Sequence, residues 1–171
     1  MSLEVTRAGL VVRAPLCASR RSIDSFVESR RSWAEEKLSA LREREMRAAA
    51  APPLTADDVK ALSKEAAEYF PRRAVHFAKL IGVEYSRITI RCQRTRWGSC
   101  SSKGSVSLNC LLMLAPREAA DSVLVHELCH IKHPNHSDAF YREVRRAFPE
   151  YDRWNAWLKE NGSVLLMRVK K

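Results

Sequence analysis

No stretch of this chain approaches the roughly 18 consecutive apolar residues that a membrane-spanning helix requires, so no membrane partner is expected. The opening Met1-Ser2-Leu3-Glu4-Val5-Thr6-Arg7 has no apolar run of signal-peptide length, which makes a cytoplasmic location the expectation. Paired cysteines are missing as well. Cys17, Cys92, Cys100, Cys110 and Cys129 are odd in number, scattered and never spaced as Cys-x-x-Cys. That pattern speaks against a disulfide framework or a zinc ribbon and fits reduced thiols. No internal repeat and no separate nucleic-acid-binding module is visible.

What is present is the composition of a globular protein. The 171 residues are 46% apolar and 29% charged, enough for one full core or one domain with a helical extension. The net charge of +10 has two readings. It suits a nucleic-acid or nucleotide partner, whose phosphates basic residues neutralise. It equally suits solvated helix faces, because the arginines from Arg20 to Arg47 interleave with Glu28, Glu35, Glu36, Glu43 and Glu45.

Residue patterning divides the chain at Ala48-Ala49-Ala50-Ala51-Pro52-Pro53, giving an N-terminal hairpin and long helix over 1–51 and a second domain over 52–171. The hairpin turns at Arg7-Ala8-Gly9, and Ser22 is the expected N-cap of the helix after it. Thr55-Ala56-Asp57-Asp58 resembles a capping box, opening a helix that Pro71 kinks or restarts and Gly82 stops. Ile88 and Ile90 alternate with polar neighbours as in a half-buried strand. Trp97 to Gly104 is turn-rich, and Ser105-Val106-Ser107-Leu108 alternates again, as an antiparallel partner at a sheet edge would. Further helices are expected from Pro116 to Pro134, from Ser137 to Pro149, and from Tyr151 to Asn161 with Gly162 as cap. The fold class is α+β.

The chemistry concentrates in His126-Glu127-Leu128-Cys129-His130. Residues four apart on a helix stack on one face with Cβ atoms about 5–6 Å apart. Two imidazoles so placed can both reach one zinc ion at about 2.0–2.1 Å. Glu127 then lies beside the metal, where its carboxylate can take a proton from the bound water as general base. Ala120, Leu124, Leu128 and Ile131 form a separate apolar stripe, so the core does not need the histidines. His133 shares the face of His126 and His130 but lies seven residues, about 10 Å, from His126. Pro134 ends the helix and lets His136 turn back, so His126, His130 and His136 are the expected ligands of a Zn2+ ion. Glu143 is the reserve ligand, and His133 and His76 are read as surface histidines. Three ligands leave a fourth position for water, the mark of a catalytic zinc.

Four segments carry a resemblance. Arg94-Thr95-Arg96-Trp97-Gly98-Ser99-Cys100-Ser101 with Leu108-Asn109, Val125 to His130, and Asn135-His136-Ser137-x-x-Phe140 together closely resemble the YgjP-like family of predicted metal-dependent hydrolases, densely from about Ile88 to Trp157. That family is related to the zincin metallopeptidases and more distantly to SprT-like proteases. The resemblance implies a zincin-like fold, a small antiparallel or mixed sheet packed on an active-site helix. It also implies zinc ligands at His126, His130 and His136 with Glu127 as catalytic base. In the Arg96 to Cys100 segment Gly98 would permit a tight turn and Trp97 could bury beside the active-site helix. Arg94 or Arg96 could face an anionic group or a developing oxyanion, or could simply be solvated. Cys100 and Cys129 are read as buried thiols.

The leading functional expectation is a zinc metallopeptidase acting on peptide or protein substrates, with Ser105 to Leu108 as the strand that receives an extended peptide. The alternatives are a nucleoside-triphosphate pyrophosphatase, since some members of the family carry that label, and a DNA-associated SprT-like protease. Arginines converging on the cleft, Arg94, Arg96 and Arg117 among them, would favour phosphate. An open groove along an edge strand would favour peptide.

Overall fold

The computed structural model describes residues 1–6 and 9–169. The chain divides into two compact units, Met1–Ala50 and Ala51–Lys171.

In the first unit, strands β1 (Ser2–Thr6) and β2 (Gly9–Arg13) pair antiparallel, with Thr6 opposite Gly9. Arg7 and Ala8 of the expected turn lie outside the described residues. The helix expected next is two helices, α1 (Arg20–Glu28) and α2 (Arg31–Ala49). The cap of α1 is Ser19, whose hydroxyl accepts from the Ser22 amide, rather than Ser22 itself. The break follows where the Ser29 hydroxyl donates to the Phe26 carbonyl, a local bond that competes with helix continuation.

The second unit starts with α3 (Ala56–Ile81), opened by the expected box: Thr55 Oγ1 accepts from the Asp58 amide while Asp58 accepts from the Thr55 amide. Pro71 does not restart this helix, which runs unbroken through it. The carbonyl its missing N–H leaves free belongs to exposed Ala67, where water can serve it, while Ala66, Phe70, Ala74, Phe77 and Ile81 hold the opposite face in the core. Gly82, at φ +76°, ends α3 in the left-handed conformation that glycine adopts at least cost.

A three-stranded sheet follows, built from β3 (Arg87–Arg91), β4 (Gly98–Cys100) and β5 (Ser105–Asn109) in the order β3-β5-β4. Here the structure corrects the expectation. Ser105 to Leu108 is the central strand, parallel to β3 and antiparallel to β4. The edges are β3 and β4, and β4 comes from the segment expected to be turns. The sheet is mixed because Asn109 draws the β3–β4 connection across the end of β5. Its amide nitrogen donates to the Gln93 and Arg96 carbonyls at 2.6 and 2.9 Å, and its backbone N–H donates to the Trp97 carbonyl at 2.8 Å. Its side-chain oxygen accepts from the Leu111 amide, which leaves this buried carboxamide fully partnered.

A 3₁₀ turn over Cys110–Leu114 delivers the chain to α4 (Arg117–Cys129), and α5 (Asp138–Ala147) and α6 (Tyr151–Met167) complete the unit. The fold is α+β. Helix α4 is buried around most of its circumference, Ala119 to Val125 and Glu127 to Cys129 all being buried, rather than along one stripe. Its one buried acid outside the histidine motif, Asp121, is held by Arg73 and by the Tyr69 hydroxyl, tying α4 to α3. Gly162 does not cap α6 but lies inside it. A Cβ there would come 2.9 Å from Cζ2 of the Trp97 indole, so glycine is present to seat that ring and not to end the helix.

Candidate metal centre

The helix carrying the histidines stops earlier than Pro134 requires, with His130 itself at the C-cap. The chain then turns through 131–136 and re-enters α5 at Ser137, whose hydroxyl accepts from the Phe140 amide. That turn brings His136 back over α4. His126 Nε2 lies 3.2 Å from His130 Nε2 and 3.1 Å from His136 Nε2, and one ligand atom from each of the three lies within 4.8 Å of the others. Phe140 stacks on the His130 ring at 4.6 Å and fixes it from below.

The far ring nitrogens decide how these near contacts are to be understood. His130 Nδ1 is 3.1 Å from the His133 carbonyl, which can only accept, so neutral His130 carries its proton there. His126 Nδ1 is 2.9 Å from the Tyr151 hydroxyl. The Tyr151 hydroxyl can accept from His126 Nδ1 in the same way, and in that tautomer the Nε2 lone pairs of His126 and His130 both face the centre of the cluster, where a cation would hold them together. Nitrogens about 2.05 Å from one tetrahedral ion stand about 3.3 Å apart, so the donor set fits a metal ion. His133 supplies its backbone to the site and not its ring. Glu143, the reserve ligand, is turned to Lys132 and Arg146. His76 is exposed.

Electrostatics keep the cluster ready to bind. Burial, and then the neighbouring His130 and His136, lower the pKa of His126 to about 4, and burial lowers that of His130. Burial also raises Glu127 to about 7, opposed by the exposed Arg96. Burial pushes the Tyr151 phenol up to about 12, so it stays neutral beside His126.

The strand expected to be a turn forms one wall. Gly98 opens β4, and a Cβ on it would come 2.7 Å from both Cγ and Oε1 of Glu127. Only glycine lets the strand pass this close to the carboxylate. Trp97, Ser99 and Ser101 direct their backbone groups toward β5, as the bonds from Asn109 to Trp97 and from Ser101 to Ser105 show. By alternation Gly98 and Cys100 present theirs to the free edge. Along that edge runs a groove of about 450 Å³ bounded by β4, Pro134, Glu127 and the three histidines. Cys100 is half-buried at this groove, whereas Cys129 is fully buried. A second pocket, of about 330 Å³, opens on the other side of His126 and Glu127 between Trp97 and α6. Nothing in the sequence signals Tyr151 beside His126 or the close approach of Gly98 to Glu127. Neither has a local signal, since each depends on a side chain from a distant segment.

Comparison with known proteins is decisive for the family. The sequence profile of the YgjP-like metallopeptidase domain matches residues 59–161, more than half of the chain. The chain belongs to the YgjP-like family. This YgjP-like chain is therefore a metallopeptidase-type hydrolase, and its family implies a metal ion. Two crystal structures resemble it over about half its length. One is the metallopeptidase zymogen abylysin of Pyrococcus abyssi, 27% identical, covering 54% of this chain and 97% of its own, with a TM-score of 0.46. The other is the metallopeptidase zymogen jannalysin of Methanocaldococcus jannaschii, 21% identical, covering 53% and 94%, with a TM-score of 0.48. No curated protein matches the chain. Among the described residues, no helix is long and apolar enough to cross a membrane.

Proposed function

We propose that this YgjP-like chain is a zinc metallopeptidase of zincin type, with 52–171 as its catalytic domain, His126, His130 and His136 as ligands and Glu127 as general base. The observation that carries the reading is the convergence of three Nε2 atoms beside a buried carboxylate and a free strand edge. Nitrogen donors alone in a three-histidine set suit zinc. A zinc ion bound there would supply Lewis acidity and a water that ionises near neutral pH. The chain's own residues do the rest. Glu127, 7% exposed, takes a proton at its carboxylate and returns it to the leaving amine, and burial keeps bulk water from competing. Gly98 and Cys100 hold an extended peptide by strand addition, through backbone groups that β5 leaves free.

Apart from Arg96, whose charge reaches Glu127, the arginines give a phosphate group little to bind. Arg117 is occupied by Glu65 near the start of α4. Neither Arg94 nor Arg96 is among the residues lining the groove or the pocket, and Lys159 is the one lysine or arginine among the described residues there. The test pairs zinc-loaded native protein with Glu127→Gln on unfolded protein and on nucleoside triphosphates. Cleavage of the protein substrate should fall by about 10²–10⁴-fold in the variant. Triphosphate hydrolysis that depends on Glu127, without peptide cleavage, would replace this reading by the pyrophosphatase one.

A further inference from the structure

Two thiols outside the metal centre meet at the end of the mixed sheet. Cys92 directly follows β3, and Cys110 directly follows β5. The two strands run parallel with Arg91 opposite Asn109, so the cysteines are the next residues in register. Asn109 holds both chain neighbours of Cys92. Arg91 faces it across the ladder, and the Gln93 carbonyl accepts from its side chain at 2.6 Å. Adjacent strands lie about 4.8 Å apart, inside the roughly 4.4–6.8 Å between Cα atoms that a disulfide spans. The side chains meet as well. Burial, and then the charge and hydrogen bonding of the Cys110 thiol, push the pKa of Cys92 up to about 11, so Cys92 rests as a thiol at neutral pH. Cys110 is fully buried in the core and Cys92 is exposed, so a reagent in solvent reaches the pair through Cys92. Among the described residues, no other two cysteines are brought side by side by a strand register.

We infer that Cys92 and Cys110 are a site of reversible oxidation, closing to an intramolecular disulfide that ties the end of β3 to the end of β5. The oxidant is a small soluble disulfide of the glutathione kind. Cys92 attacks one of its sulfurs, which forms a mixed disulfide and releases one reduced thiol. Cys110 then attacks the Cys92 sulfur and releases the second. Two protein thiols are oxidised, one small disulfide is reduced to two thiols, and the two thiol protons leave with them. The first step is slow, because little of Cys92 is thiolate. The second is fast, because Cys110 already stands beside the sulfur it attacks and the step is unimolecular. The loop closed by the bond runs from 92 to 110 and contains Trp97, β4 and β5, so oxidation adds a covalent tie at the base of the wall that Gly98 presents to Glu127. The inference does not depend on the peptidase reading.

The test is a disulfide map. Full-length protein is equilibrated with excess oxidised glutathione, its remaining thiols are alkylated, and the chain is digested with trypsin without reduction. Trypsin separates Cys92, Cys100 and Cys110 into the peptides 92–94, 97–103 and 104–117, so the bond identifies itself by mass. The expected result is a linked pair of 92–94 with 104–117 in monomeric protein, with free thiols falling from five to three and returning on reduction with dithiothreitol. The internal disulfide should exceed the mixed disulfide at Cys92 by at least about tenfold. Cys110→Ala should invert that ratio, leaving glutathione on Cys92. Cys92→Ser, on the exposed side, should protect Cys110 from any modification, and it keeps the test valid if Cys110→Ala fails to fold. Native protein that keeps all its thiols, that stops at the mixed disulfide on Cys92, or that links either cysteine to Cys17, Cys100 or Cys129 in equal yield would overturn the inference.

Discussion

The hydroxyl of Tyr151 lies 2.9 Å from Nδ1 of His126, and the two residues come from different helices, α6 and α4. With Nε2 given to a metal ion, His126 would donate its Nδ1 proton to that hydroxyl. A ligating histidine is oriented and kept in the right tautomer by such a partner. His130, the second of the proposed ligands, has the His133 carbonyl in the same role.

Tyr151→Phe should therefore lower zinc affinity by about 10- to 100-fold while the protein stays folded. Competition with a chromophoric chelator measures it. An unchanged dissociation constant would show that His126 is positioned by packing against Phe140 alone.

The approach of Gly98 to Glu127 yields a prediction about catalysis without metal loss. In Gly98→Ala the new methyl would stand 2.7 Å from Cγ and Oε1 of Glu127 unless something shifts, and on the strand side that something is backbone. Displacing a positioned base by about 1 Å can cost about 100-fold in rate. Hydrolysis should fall by that order and bound zinc should remain. Full activity in Gly98→Ala would mean that Glu127 is not held where the reaction needs it.

How much of this was legible in the sequence depends on how local each signal is. The histidine motif was readable because a spacing of four on a helix is a local rule, and the capping box and Gly82 were readable for the same reason. Strand β4 was not, because Gly98-Ser99-Cys100 has turn composition and pairs only through β5. Ser105 to Leu108 has the alternation of an edge strand, but its parallel partnership with β3 is set by Asn109 reaching across to Gln93 and Arg96. Gly162 follows Asn161 as a helix cap would. Its actual reason is the indole of Trp97, which no window around Gly162 contains.

The metal-free protein should show two opposed acid responses. His126 titrates at about 4 in the fold against 6.5 when free, so the unfolded chain takes its proton first and the fold loses stability as pH drops through that window. Glu127 titrates at about 7 in the fold against 4.5 when free, so the fold takes the proton first and gains stability as pH drops from 7 to 4.5. Glu127→Gln removes only the second response. Urea denaturation of metal-free protein from pH 7 to 5 should thus show a steeper loss in Glu127→Gln than in native protein. A flatter curve in the variant would contradict the buried, raised carboxyl.

The central claim is that His126, His130 and His136, and not His133, hold one metal ion. Elemental analysis of purified protein after exchange into zinc and gel filtration tests it directly. The account predicts one zinc per native chain, retention in His133→Ala, whose carbonyl contact to His130 survives the change, and loss in His126→Ala, His130→Ala and His136→Ala. Full zinc occupancy in His126→Ala, or loss in His133→Ala with retention in His136→Ala, would contradict it.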